Sequence, residues 1–165
     1  MKDVLIKIQN AERMIHLGET LANYYYPNLV ISLTGDLGAG KTTFTKGIGI
    51  ALGIKRVINS PTFTIMKVYN ETNNLNGIKA LYHLDIYRLK DSSGDFELEE
   101  YFYMNGLSVV EWADNAADLI PNNSWRMEIS NTSDTERLVH LILNDDTNLE
   151  KLKETLIGEK YEIIN

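Results

Sequence analysis

The chain has no cysteine among its 165 residues. That absence removes disulfides, thiolate nucleophiles and cysteine-based zinc sites together, and it suits a reducing compartment, so a cytoplasmic location is expected. Apolar residues never run together for the ~18 positions that a membrane-spanning helix needs. The amino-terminal stretch is too short and too interrupted by charge for a secretory signal, so we expect a soluble, untargeted chain with no membrane partner. Basic charge is also scarce: 16 Lys and Arg against 23 Asp and Glu leave a formal charge of −7. No global basic field can capture a phosphate backbone unaided, so any nucleic acid is expected to be held mostly by a partner. Only five arginines occur, Arg13, Arg56, Arg88, Arg126 and Arg137. They form no arginine-rich lid of the kind that small-molecule kinases close over two phosphorylated ligands, and no Asn-Lys-x-Asp run is present to read guanine. Both absences favour ATP hydrolysis over kinase or GTPase chemistry. Without an assured arginine finger, turnover by the isolated chain is expected to be slow.

What is present is dominated by Gly35-Asp36-Leu37-Gly38-Ala39-Gly40-Lys41-Thr42, which fits the Walker A pattern. Its glycines permit close backbone approach, so successive N–H groups can face one concavity and hold phosphate oxygens, and the following helix adds its positive end. Lys41 is placed to reach the β and γ phosphates, Thr42 to offer its hydroxyl to Mg2+, and Thr43 to touch the α phosphate. The flanks agree with the motif. Leu29 to Leu33 reads as a short buried parallel strand, while Phe44, Ile48, Ala51 and Leu52 recur on one helical face before a terminating Gly53.

With 44% hydrophobic residues, the chain can bury a sizeable core, and we expect a single domain over residues 1–165. Val4 to Ile8 reads as a first strand, followed by a helix carrying Met14, Leu17, Leu21, Ala22 and Tyr25 that Pro27 closes. Phe63 to Tyr69 and Ala80 to Tyr87 read as an antiparallel pair, separated by a polar turn with four asparagines. Asp95 caps an expected acidic helix from Phe96 to Met104, Gly106 to Trp112 is a core strand, and Asp114 to Leu119 a helix stopped by Pro121. Trp125 to Ser130 and Arg137 to Leu143 form a closing pair of strands. Thr147 and Glu150 form a capping box for a last helix through Leu149, Leu152 and Leu156 to Gly158. The expected architecture is α/β, a P-loop NTPase three-layer sandwich with a mixed, largely parallel sheet.

A P-loop needs a carboxylate at a neighbouring strand end to orient the waters of Mg2+. Asp85 and Glu111 both end apolar runs and both are candidates; their division of labour is open. Thr62, in a Ser-Pro-Thr loop, either completes a Pro-set turn or serves a switch sensing the γ phosphate. His83 shares its strand face with Asp85 and is either a satisfied strand histidine or a group that positions water or substrate. Trp112 is either core or part of a base or partner surface.

Four blocks taken in order resemble the bacterial TsaE family. They are the Walker A segment through Phe44, Ser60-Pro61-Thr62-Phe63-Thr64, His83-Leu84-Asp85-Ile86-Tyr87-Arg88-Leu89, and Val110-Glu111-Trp112. The last two are the distinctive ones. The resemblance runs over roughly residues 10 to 125 and fades beyond, where only the strand pair and Arg137 look similar. It implies a P-loop ATPase of tRNA threonylcarbamoyladenosine synthesis that works with TsaB and TsaD, reaching tRNA indirectly through that complex. It also implies that residues 36–43, Thr62 and Trp112 bind nucleotide, that Thr42, Asp85 and Glu111 serve the metal, and that Lys41, Asp85 and Glu111 are catalytic. Two further readings stand beside it: a nucleotide-gated binding module with incidental hydrolysis, and a small-molecule kinase.

Overall fold

The computed structural model describes residues 2–36, 38–61, 66–86, 95–111 and 118–164, with residues 95–98 traced through their backbone. Eight strands form one sheet: β1 (Asp3–Ile8), β2 (Val30–Gly35), β3 (Met66–Tyr69), β4 (Leu81–Asp85), β5 (Leu107–Glu111), β6 (Trp125–Asn131), β7 (Arg137–Ile142) and β8 (Glu162–Ile164). Their order is β3-β4-β5-β2-β6-β7-β1-β8. The mixed sheet expected from sequence is present: β4, β5, β2 and β6 are mutually parallel, and antiparallel strands flank them on both sides. The two antiparallel pairs expected, β3 with β4 and β6 with β7, both form.

Period-two alternation gives the sheet two faces. Ile31 and Leu33 of β2, Met127 and Ile129 of β6 and Val139 and Leu141 of β7 point to one side, where they share a core with Met14 and Leu17 of helix α1 (Ala11–Thr20), Phe44 and Ile48 of α2 (Lys41–Ala51), and Leu152 and Leu156 of α3 (Leu149–Gly158). On the other side Val30, Tyr82, Leu84 and Val110 pack with Phe102. Phe102 belongs to a 3-10 segment, Asp95–Tyr103, where an α-helix was expected. Helices, sheet and this segment make the three layers.

The two helices beside the phosphate loop touch backbone to backbone. A Cβ on Gly47 would lie 1.9 Å from the Ile15 carbonyl oxygen, and one on Gly18 would lie 2.6 Å from that of Phe44. Only hydrogen at both positions allows this approach.

The carboxy-terminal region departs from the sequence reading in two ways. Asn148, not Thr147, caps α3, its side chain accepting from the Lys151 amide at 3.1 Å. Thr147 is instead drawn inward, accepting a hydrogen bond from the buried Trp125 indole at 3.0 Å and donating to Asn144 at 2.8 Å. A buried indole N–H must find an acceptor, and that demand outweighs the cap. The helix itself ends at Gly158 as expected, and Lys160 just beyond it takes a positive φ of 65°. Strand β8, unforeseen, pairs with β1 as the sheet edge. The helix expected from Asp114 begins outside the described residues.

Candidate functional site

Strand β2 ends at Gly35, and α2 begins at Lys41. Between them the chain turns through Gly38 at φ 81° and Gly40 at φ 115°, conformations that an L side chain resists. Gly40 is also the N-cap of α2 and supplies no side-chain cap, so the first-turn amides of the helix are left for a ligand. Lys41 is folded against its own loop, its ammonium donating to the carbonyls of Gly35 at 2.7 Å and Asp36 at 3.1 Å. Burial lowers its pKa, while the carboxylates of Glu111, Asp85 and Asp36 act in the opposite direction. Those opposing causes identify one electrostatic cluster.

The parallel ladders assemble the rest. Asp85 stands in register with Glu111 across β4 and β5, and Glu111 in register with Leu33 of β2, two residues before Gly35. Both carboxylates sit at the carboxyl ends of adjacent parallel strands, where α/β sheets place ligands. Each is only 3% exposed, so each must be compensated by a partner. For Glu111 the partners are Thr42, whose hydroxyl donates to Oε2 from 3.4 Å, and His83, whose Nε2 makes a short contact with the same oxygen. His83 is fully buried and its Nδ1 has no partner among the described atoms. The structure thus pairs His83 with Glu111, a role that the sequence reading did not name.

Of the residues expected at the site, Thr42 meets Glu111, Asp85 pairs with Glu111 across the ladder, and Lys41 feels the charges of Glu111, Asp85 and Asp36, while Gly38, Ala39, Gly40 and Thr43 border a cleft beside the loop. Leu37, Thr62 and Trp112, also expected at the site, lie outside the described residues, as does Arg88.

Two features were not foreseen. Beside the loop lies a cleft of about 190 Å³ bounded by Ala11 and Met14 of α1, by Gly38, Gly40 and Thr43, and by the β6–β7 turn at Asp134 and Thr135. Arg137 joins the turn to the loop, donating from Nε to the Ala39 carbonyl at 3.1 Å and from a terminal nitrogen to that of Gly38 at 3.4 Å. Its other terminal nitrogen donates to the carbonyls of Ser133, Asp134 and Glu136. Nothing local in the sequence links residues 10–14 and 133–137 to the glycines. The available signals were an arginine in a chain with few of them and the family resemblance at Arg137.

These residues fit Mg2+ and a triphosphate by their chemistry: a hydroxyl and two buried carboxylates offer hard oxygen ligands, and the loop offers amides and an ammonium.

Comparison with known proteins identifies the family. The family profile described as Threonylcarbamoyl adenosine biosynthesis protein TsaE matches residues 8–139. A relative from Bacillus subtilis (strain 168), the tRNA threonylcarbamoyladenosine biosynthesis protein TsaE, is 38% identical over 164 residues, covering 99% of this chain and 92% of the relative. The protein of the same name from Treponema pallidum (strain Nichols) is 33% identical over 131 residues, covering 78% and 93%. Among solved structures, the crystal structure of Bacillus subtilis YdiB superposes with a TM-score of 0.76 at 35% identity, covering 96% of each chain.

Proposed function

The chain belongs to the TsaE family, and on that premise we propose that it is the ATP-binding and ATP-hydrolysing component of the machinery that makes threonylcarbamoyladenosine in tRNA, acting with TsaB and TsaD partners. The observation that carries the proposal is the meeting of Thr42 and Glu111 at 3.4 Å, beside Asp85 and the Lys41 ammonium. A hydroxyl from a phosphate loop and a carboxylate from the neighbouring strand form the pair that metal-assisted phosphoryl transfer to water requires.

On this reading the phosphates lie along the loop amides and Lys41 spans the β and γ groups. The 190 Å³ cleft beside Thr43, with Met14 and Ala11 as its apolar wall, receives the nucleoside. Thr42, Asp85 and Glu111 would hold Mg2+, which would supply neutralisation of the charge on the phosphate groups. Asp85 and Glu111 divide between them the orientation of metal-bound water and of the attacking water, and His83 holds Glu111 in place for its share. Among the described residues no arginine other than Arg137 touches the loop, and Arg137 is occupied with backbone carbonyls. Hydrolysis by the chain alone is therefore slow, and a partner completes the site.

The test is ATPase activity measured alone and with purified TsaB and TsaD. Stimulation that disappears in Lys41→Ala supports the reading. If Lys41→Ala still supports multiple rounds of tRNA modification, the protein is a nucleotide-gated binding module. If phosphate appears on an acceptor rather than in water, it is a kinase.

A further inference from the structure

The acidic excess of this chain is unevenly spread. Residues 37–70 contain five cations, Lys41, Lys46, Lys55, Arg56 and Lys67, and not one Asp or Glu. Lys41 faces the phosphate loop, but Lys46, Lys55 and Arg56 come together on the outside, around the carboxyl-terminal half of α2 and the loop that follows it. There they border a second cavity of about 290 Å³ whose walls are aliphatic: Ile15 from α1, Ile50 from α2, and Ile54, Val57 and Ile58 from the loop. Ile50 is 53% exposed and Val57 73% exposed. All three cations are exposed, and no carboxylate among the described residues lines the cavity.

We infer that this surface is a docking site for a partner protein, and that its occupant is an acidic segment carrying an apolar side chain between its carboxylates. The inference rests on the proposed function, since it assigns where that machinery grips this chain. Charge complementarity sets the sign of the occupant: a locally cationic rim on a chain of net charge −7 selects anions and repels other cationic surfaces. The aliphatic cavity sets the rest, because a buried apolar anchor inside a polar rim is the arrangement of a protein interface. Single-stranded RNA, the other polyanion to consider, is held by rings on which bases stack. Among the described residues no aromatic side chain lines this cavity, and the neighbouring Tyr69 ring is already covered by the Arg56 guanidinium at 5.0 Å. The location also suits a partner that responds to nucleotide. Lys46 lies on the helix that starts at Lys41, and the 54–58 loop runs directly into Ser60-Pro61.

The experiment measures binding of the TsaB–TsaD pair to the parent chain, to Lys55→Glu and to Val57→Ser, at low and high salt, with ATP affinity determined for each. Both substituted residues are exposed and neither contacts the phosphate loop, so ATP affinity is expected to stay within about twofold of the parent. Lys55→Glu is expected to weaken partner binding by about tenfold and to flatten its salt dependence, and Val57→Ser to weaken binding with the salt dependence unchanged. Partner affinity equal to the parent in both variants, with ATP binding intact, overturns the inference alone. A loss confined to binding of tRNA by itself, or a change confined to self-association, also overturns it by assigning the surface to another occupant. Failure of the parent chain to bind TsaB–TsaD overturns the functional reading and this inference with it.

Discussion

Arg137 donates from Nε to the carbonyl oxygen of Ala39 at 3.1 Å, across 98 residues of sequence. The same guanidinium reaches the Gly38 carbonyl. A peptide whose oxygen is drawn to one side presents its N–H to the other, so the contact with the Ala39 carbonyl turns the Gly40 amide away from Arg137, while the Ala39 amide itself donates within the loop to the Asp36 carbonyl at 2.9 Å. We expect Arg137→Ala to weaken ATP binding by about tenfold, near 1.4 kcal/mol, with Arg137→Lys recovering only part of this because an ammonium lacks the planar fork. Calorimetric titration with ATP would check both; equal affinity in all three proteins would refute the role.

Removing the Lys41 ammonium removes the one side-chain cation inside the loop. Lys41→Ala is expected to cost roughly 100-fold in ATP affinity, in the upper range for hydrogen bonds to charged groups. Asp85→Ala and Glu111→Ala should spare binding more than turnover, with kcat falling by about 100-fold or more. Steady-state kinetics with TsaB and TsaD present separate the two effects. If both carboxylate variants hydrolyse ATP like the parent, the metal assignment is wrong.

The backbone contact between α1 and α2 leaves no room at residue 47, where a methyl would stand 1.9 Å from the Ile15 carbonyl oxygen. Gly47→Ala must push the helices apart, and we expect a loss of about 3 kcal/mol. For a chain of this size that lowers Tm by roughly 6–12 °C. Thermal denaturation followed by circular dichroism gives the answer, and an unchanged Tm would mean that the helices slide freely.

Burial pushes the Tyr161 phenol up to about 12, with the nearby Arg13 guanidinium pulling it partly back. An unfolded tyrosine releases its proton near pH 10, so between those values the unfolded chain binds fewer protons than the folded one. The contribution is fully present below pH 10 and is lost as pH rises through about 12. Tyr25, raised by burial in the same direction, adds to the alkaline loss. Urea denaturation at intervals from roughly pH 8 to 11 should show stability falling above pH 10, with a shallower fall in Tyr161→Phe. Parallel profiles for the two proteins would rule Tyr161 out.

Local signals carried the architecture a long way. The phosphate loop was legible because its glycines, lysine and threonine are contiguous, and β2, β4 and β5 because buried parallel strands read as short apolar runs. Asp85 and Glu111 could be singled out for the same reason, as carboxylates closing such runs. What sequence did not show was contact over distance. Arg137 and the cleft wall at Met14 meet the loop only after the sheet has formed, and Thr147 surrendered its capping role to the Trp125 indole, 22 positions earlier. The short β8 has no alternation long enough to announce itself. Leu37, Thr62 and Trp112 lie outside the described residues, so their expected roles rest on sequence alone.

The strand that carries the phosphate loop is laddered on both flanks, to β5 on one side and β6 on the other. Its amides are expected to exchange with solvent last in the sheet, because neither neighbour can peel away without breaking the middle of the molecule. The loop therefore stands on an anvil. Whatever displacement a ligand provokes there travels outward, along α2 and the connections at the strand tips, and leaves the sheet beneath it still.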